Sequence, residues 1–392
     1  VTASTVTVGA AKGYFINTTS NACTITLPSS AEAGDQVILI DYARTWGTNA
    51  ITIDSNGLNF QGSDDTYTVD YDTAGQALNL VYSGATVGWT PSSDIVNALE
   101  PVAPQTQKAI FGYGDTGSYV SMTNLVNSSG VVATDTTGVG TSRYGLAACG
   151  YGGDKAIFGY GYDGSNVSLT NLVSNSGVVS ADVTGVGTAR RFLAAASYGT
   201  DKAIFGYGLT ATYVSMSNLV SNTGVVATDI TGVGTARRFL AAVGYGGDKA
   251  IFGYGENGSS LSMTNLVSNS GVVASDTTGV GTARERLAAT GYGSTGQSIF
   301  GYGTTGSYVS MSNLVSNSGV VSADVTGVGT ARRDLSASSY GGDKAIFGYG
   351  EDASSRTNLS NLVSSSGVIA SDTTGVGTAR RLVGAAGYSF SA

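Results

Sequence analysis

The chain has 392 residues and a formal net charge of −8, with only 12% charged side chains, so the clustered Lys and Arg that bind nucleic-acid phosphates are missing. His is absent altogether, which removes the commonest metal ligand and general base and rules out Ser-His-Asp and Cys-His arrangements. Gly is 58 and Pro only 4, among short apolar runs and many turns, a balance that predicts an all-β chain with few helices.

No apolar run reaches the roughly 18–20 residues that span a bilayer, so membrane insertion is not expected. The amino-terminal VTASTVTVGAAKG has neither a charged n-region nor an apolar h-region. It reads as no signal peptide, and the missing initiator Met as processing or a longer parent. Cys23 and Cys149 lie in different segments, and no disulfide framework is expected.

Residues 1–91 carry strand-like runs such as VTASTVTV, GYFINTT, CTITLP, QVILIDYA, NAITID and ALNLVY, separated by turn signals. Cys23, Ile25 and Leu27 alternate with threonines, as on a half-buried strand. The pattern predicts a small antiparallel sandwich or fibre-like β module. Residues 92–107 read as a linker, because Thr90–Gln107 holds three of the 4 prolines. Within it Ser92–Leu99 predicts one short helical turn, capped by Ser92 or Ser93.

Residues 108–392 are a tandem repeat of period 47, with copies beginning at Lys108, Lys155, Lys202, Lys249, Gln297 and Lys344 and one added residue before the fifth. Each copy offers four candidate strands, which in the first are Lys108–Tyr113, Val120–Val126, Gly130–Thr136 and Gly145–Tyr151. KAIFGYG is apolar on both faces, as in a strand buried between neighbours. LAACGYG is rich in Ala and Gly, which allows close backbone approach near a crowded axis. The array begins with a KAIFGYG strand and ends with the LAA-type strand Arg381–Tyr388, so the last strand can pair with the first. The expected result is a six-bladed β-propeller closed by the C-terminal strand.

Asp135, Asp182, Asp229, Asp276, Asp324 and Asp372 each precede an arginine by eight residues: Arg143, Arg190, Arg237, Arg284, Arg332 and Arg380. Near-identical repeats place these carboxylates in like environments, whereas catalysis needs unlike ones. They are expected to be structural. No metal, cofactor or catalytic residue is assigned, and the chain is not expected to be an enzyme.

The segment after KAIFGYG diverges between copies, and it supplies the candidate receptor-binding loops. These are Asp115 and Tyr119; Tyr162, Asp163 and Asn166; Tyr213; Glu256 and Asn257; Tyr308; and Glu351, Asp352 and Arg356. Tyr gives stacking area and the polar residues hydrogen-bond, a combination suited to glycans. A second variable set follows the repeat arginine: Tyr144, Arg191, Phe239 with Arg238, Glu285, Arg333 and Arg381. It can ring a channel mouth.

Two resemblances add to this. The first module, through its TITLP strand, its GDQVILID strand, NAITIDSNG and the closing LNLVYSGATVGW hairpin, resembles small β modules of phage tail fibres. The segment R--LAA-GYGGDKAIFGYG resembles the kelch repeat, although Gly-Tyr-Gly stands where kelch blades carry a diglycine and no Trp follows Trp89. The array is similar to kelch-like arrays of marine phage structural proteins. The resemblances imply a virion structural protein, a tail fibre or appendage component located on the extracellular particle, with residues 1–91 as its attachment or oligomerisation module and the propeller displayed outward. Its implied partners are other virion proteins and a host-surface glycan or receptor, and it would be a homo-oligomer, as fibres commonly are trimers. Alternatives are a capsid-decorating protein, an extracellular filament protein and a cellular lectin-like module.

Overall fold

The computed structural model describes residues 1–63, 69–95 and 106–391. The chain divides into two compact units, Val1–Val102 and Ala103–Ala392. Among the described residues every regular element is a β-strand, and no helix is long and apolar enough to cross a membrane.

The first unit has eight strands: β1 (Thr5–Thr7), β2 (Lys12–Ile16), β3 (Cys23–Thr26), β4 (Gln36–Asp41), β5 (Ile51–Asp54), β6 (Val69–Tyr71), β7 (Ala77–Tyr82) and β8 (Trp89–Ile95). They form two four-stranded sheets, β1-β3-β5-β6 and β2-β4-β7-β8. The expected antiparallel arrangement needs correction, because β1–β3, β3–β5 and β2–β4 are parallel. The first five strands alternate between the sheets, and each crossing reverses the chain, so neighbours two apart run the same way. Cys23, Ile25 and Leu27 point into one core with Val37, Leu39, Trp46 and Trp89, as their alternation predicts.

The helical turn expected at Ser92–Leu99 does not start where its caps suggest. Ser93 and Asp94 continue β8 in register with Asn79 and Leu78 of β7, and residues 96–99 lie outside the described part. An available ladder on β7 overrides a weak local capping preference. Of the expected linker, residues 92–95 are therefore strand. Gln107 is tied to the second unit by its N–H to the Ser389 carbonyl at 2.8 Å.

The second unit contains six three-stranded antiparallel sheets. Each takes its inner strand from the end of one copy and its central and outer strands from the next, as in Ala147–Tyr151, Lys155–Tyr162 and Asn166–Val173. The last inner strand, Gly384–Tyr388, pairs with Lys108–Gly112, so that Ala385 lies opposite Phe111 and Ala386 opposite Ile110. Inner strands of successive sheets adjoin, and the last adjoins the first.

The fourth strand expected in each copy does not form. In the first copy, the backbone of Gly130–Thr136 pairs with the outer strand at two isolated bridges, Val126–Val132 and Thr123–Thr136. Between them the buried Asn124 side chain intrudes, its Nδ2 donating to the Ala133 carbonyl at 2.9 Å. A side-chain donor thus replaces a ladder bond and interrupts the strand.

The KAIFGYG strand explains how neighbouring sheets adhere. Tyr113 packs on Phe158 of the next sheet at 5.1 Å between ring centroids. The same pairing recurs to Tyr349 on Phe111, which joins the last copy to the first. Gly112 leaves room for the ring, since a Cβ there would lie 2.8 Å from Phe158 Cζ.

The repeat arginines lock the same interfaces. Arg143 is fully buried, with Nε donating to the Tyr160 carbonyl at 2.8 Å and one Nη to Asn171 Oδ1 at 2.6 Å. Its guanidinium lies 4.3 Å above the centre of the Tyr113 ring. Tyr113 holds φ at +62°, a costly conformation for a non-glycine residue, and its hydroxyl donates to the Val139 carbonyl. Burial pushes its pKa up to about 12 against the lowering charge of Arg143.

Candidate binding face

At one end of the inner strands, the residue two positions after each repeat arginine adopts the left-handed conformation: Gly145, Phe192, Phe239, Arg286, Asp334 and Leu382, with φ between 54° and 63°. Their backbones form a closed cycle. Each N–H donates to the carbonyl of the residue before it in that order, at 2.7–3.2 Å, and Gly145 donates to Leu382. The cycle surrounds one mouth of a central space. A cavity of about 120 Å³ lies beneath it, and one of about 230 Å³ opens toward the other end. Both are lined by Ala148, Ala195, Ala242, Ala289, Ala337 and Ala385, small side chains that leave the space open.

Around this mouth the two variable sets come together. Isolated bridges join Asp115 to Arg381, Tyr144 to Tyr162, Arg191 to Leu209, Arg238 to Glu256, Glu285 to Thr304, and Arg333 to Glu351. Backbone pairing thus repeats six times while the side chains differ, so the face is asymmetric on a symmetric frame.

One sector is aromatic. Tyr119, 40% exposed, packs on Tyr144 at 5.0 Å and Tyr162 at 6.1 Å between centroids. Tyr144 also meets Phe192, which stacks on Phe239 at 4.2 Å. Arg191 lies over Tyr162, and Tyr213 lies beneath Arg238. Burial raises the pKa of Tyr144.

The adjoining residues are ionic, with Asp115 paired directly to Tyr119 across the hairpin. Asp115 accepts from Arg356 and Arg381, both at 3.0 Å. Glu351 accepts from Arg333 at 3.1 Å, from Arg381 and from the Tyr308 hydroxyl. Arg238 donates to Glu256 at 2.5 Å, and Arg286 to Asp334 at 3.1 Å while lying over the Phe239 ring. Burial raises the pKa of Asp334 against the lowering charges of Arg286 and Arg333, and burial together with Glu256 raises that of Glu285.

The remaining loop candidates stabilise their own turns or a neighbour. Asp163 accepts from Ser165, Asp352 from the Ser354 and Ser355 N–H groups, and the exposed Asn257 closes its turn to Ser259. Asn166 reaches the next loop, donating to the Leu209 carbonyl at 3.4 Å.

The repeated aspartates form ion pairs that cross between copies. Arg143 pairs with Asp182 of the next copy at 3.9 Å, the pattern repeats, and Arg380 pairs with Asp135 at 3.7 Å. The eight-residue spacing therefore does not mark the partners. Asp182 also accepts from the Thr141 N–H and hydroxyl and from Asn171. Burial works to raise its pKa, but these bonds and the Arg143 charge outweigh it and hold it low.

Among the described residues no three His, Cys, Asp or Glu side chains group to hold a metal ion, and Cys23 and Cys149 are buried free thiols. The chain matches no protein-family model and no curated protein sequence. Sequence reasoning missed Phe192, Arg286, Asp334 and Leu382. Their signal was present, because that column varies most within the repeated R-x-x-(L/V) segment.

Proposed function

We propose that the second unit is a six-bladed β-propeller that binds glycan through this face, without turnover, as part of a virion tail fibre or similar appendage. The carrying observation is the partly exposed cluster of Tyr119, Tyr144 and Tyr162, whose rings offer stacking area for a sugar. The closed backbone cycle supports the propeller, since it ties the last copy to the first through Gly145 and Leu382. Binding rather than catalysis is supported by Asp115, Glu256 and Glu351, which are held as ion-pair partners. The virion assignment rests on the sequence resemblance of both segments. In that setting, several weak sites on one particle act together through avidity.

Glycan-array binding of the chain, with Tyr144→Ala and Tyr119→Ala beside it, tests the binding claim. The wild type should retain a defined glycan set and the variants should lose it. No retained glycan, or variants equal to wild type, overturns the claim. Imaging of native particles tests the location: copies at capsid lattice points would overturn the appendage assignment.

A second reading, a rigid structural element that packs laterally in a coat or filament, is favoured by one observation. Val131, Val178, Val225, Val272, Val320 and Val368 recur once per copy and are 60–65% exposed. A filament or lattice of copies with those valines at the contacts would establish it.

A further inference from the structure

Six arginines stand on the binding face outside the buried repeat set, and five have a carboxylate within ion-pair distance: Arg238, Arg286, Arg333, Arg356 and Arg381. Arg191 is the exception. Among the described residues it has no carboxylate within that distance and its side chain donates no hydrogen bond, and its Nε is buried without an acceptor. Its guanidinium is held over the Tyr162 ring at 4.3 Å and beside Phe192 at 5.3 Å.

The repeat explains the difference. Arg191, Arg238, Arg333 and Arg381 occupy one position of the second, third, fifth and sixth copies, each bridged backbone to backbone with the first residue of the following variable loop. That residue is Glu256 for Arg238, Glu351 for Arg333 and Asp115 for Arg381, but Leu209 for Arg191. In two of these pairs the arginine Nε itself is the donor, at 2.5 Å to Glu256 and 3.0 Å to Asp115. The second copy thus keeps the cation and lacks the anion that answers it in the other three.

A second unmet group lies beside it. Asn166 donates to the Leu209 carbonyl at 3.4 Å, while its own Oδ1 is buried without a donor. A donor seeking an anion and an acceptor seeking a hydroxyl thus flank Leu209, next to the partly exposed Tyr119–Tyr144–Tyr162 cluster.

We infer that Arg191, Asn166 and the adjoining tyrosines form a subsite for an acidic sugar. The anionic group, carboxylate or sulfate, takes the place on Arg191 that Glu256 and Asp115 take in other copies. A neighbouring hydroxyl donates to Asn166 Oδ1, and the sugar face rests on the aromatic sector. The inference rests on the glycan-binding reading and adds the charge of the ligand. A fixed fork of donors suits planar or tetrahedral oxyanions, and a guanidinium stacked on a ring is already ordered.

Titration calorimetry with the whole chain tests this, using oligogalacturonate, its neutral methyl ester and a sulfated heparin oligosaccharide as probes. Binding of at least one acidic probe is expected, weakened about 10- to 100-fold by Arg191→Gln, the effect of losing a charged hydrogen bond. Leu209→Glu supplies the missing carboxylate and should abolish binding without loss of thermal stability. If the methyl ester binds as well as the acid and Arg191→Gln changes nothing, the acidic-sugar inference falls while glycan binding stands. If none of the probes binds, the inference falls on its own, and the array result decides the broader reading separately.

Discussion

Arg380 donates to Asn124 Oδ1 at 2.6 Å across 256 residues of chain, making the contact that Arg143 makes with Asn171 across 28. The first contact joins the two ends of the array, and the second joins neighbours. Arg380→Met leaves Asn124 and the Tyr113 carbonyl without their donor in a buried interface, and should cost about 3–5 kcal/mol in urea unfolding. Hydrogen exchange in Lys108–Asp115 should rise in this variant more than in Arg237→Met, whose two sheets remain connected by the chain.

Gly206 illustrates the constraint on packing between sheets. A Cβ there would lie 2.6 Å from Phe252 Cζ, the tip of a ring fully buried against Tyr207. Gly206→Ala should destabilise by about 1–3 kcal/mol by overpacking, read as a lower urea midpoint at constant slope.

Acid should weaken all the interfaces together. Asp135, Asp182, Asp229, Asp276, Asp324 and Asp372 all have folded pKa values below the ordinary one. Their stabilisation is complete above the unfolded value near about 4 and is lost as pH falls through the lower folded values. Asp229→Asn weakens charged hydrogen bonds from Thr188 and Asn218, and should cost about 1.5–3 kcal/mol at pH 7. The gap from wild type should close in strong acid, and the proposed glycan binding should be unchanged.

Glu285 has the opposite sign. Burial and Glu256 raise its pKa, so its charge costs stability that is present below the unfolded value and lost as pH rises through the folded one. Glu285→Gln should raise Tm slightly at neutral pH and leave it unchanged near pH 3. A scanning calorimetry series across that range checks both limits.

The variable residues were legible as positions and not as a site. Repetition marked Asp115, Glu256 and Glu351 as divergent, but not that they answer Arg381, Arg238 and Arg333 across a bridge. The eight-residue Asp–Arg spacing suggested pairs, yet the partners lie in adjacent copies because the inner strand of one copy completes the sheet of the next. Val132 and Thr136 have strand-like neighbours, but the Asn124 side chain takes a carbonyl that local pattern assigns to a ladder.

By itself the sequence determined the repeat, its all-β character and the pairing of Gly384–Tyr388 with Lys108–Gly112, because strand order and apolar pattern are local and periodic properties. Tertiary structure alone decided what the differing side chains do. The backbone cycle through Gly145, Phe192, Phe239, Arg286, Asp334 and Leu382 gathers residues from every copy onto one mouth. Charge pairing and burial there depend on distances between copies, which no single copy encodes. Arg191 is an ordinary member of its column in the sequence, and Leu209 across the bridge makes it the arginine of that column without a carboxylate.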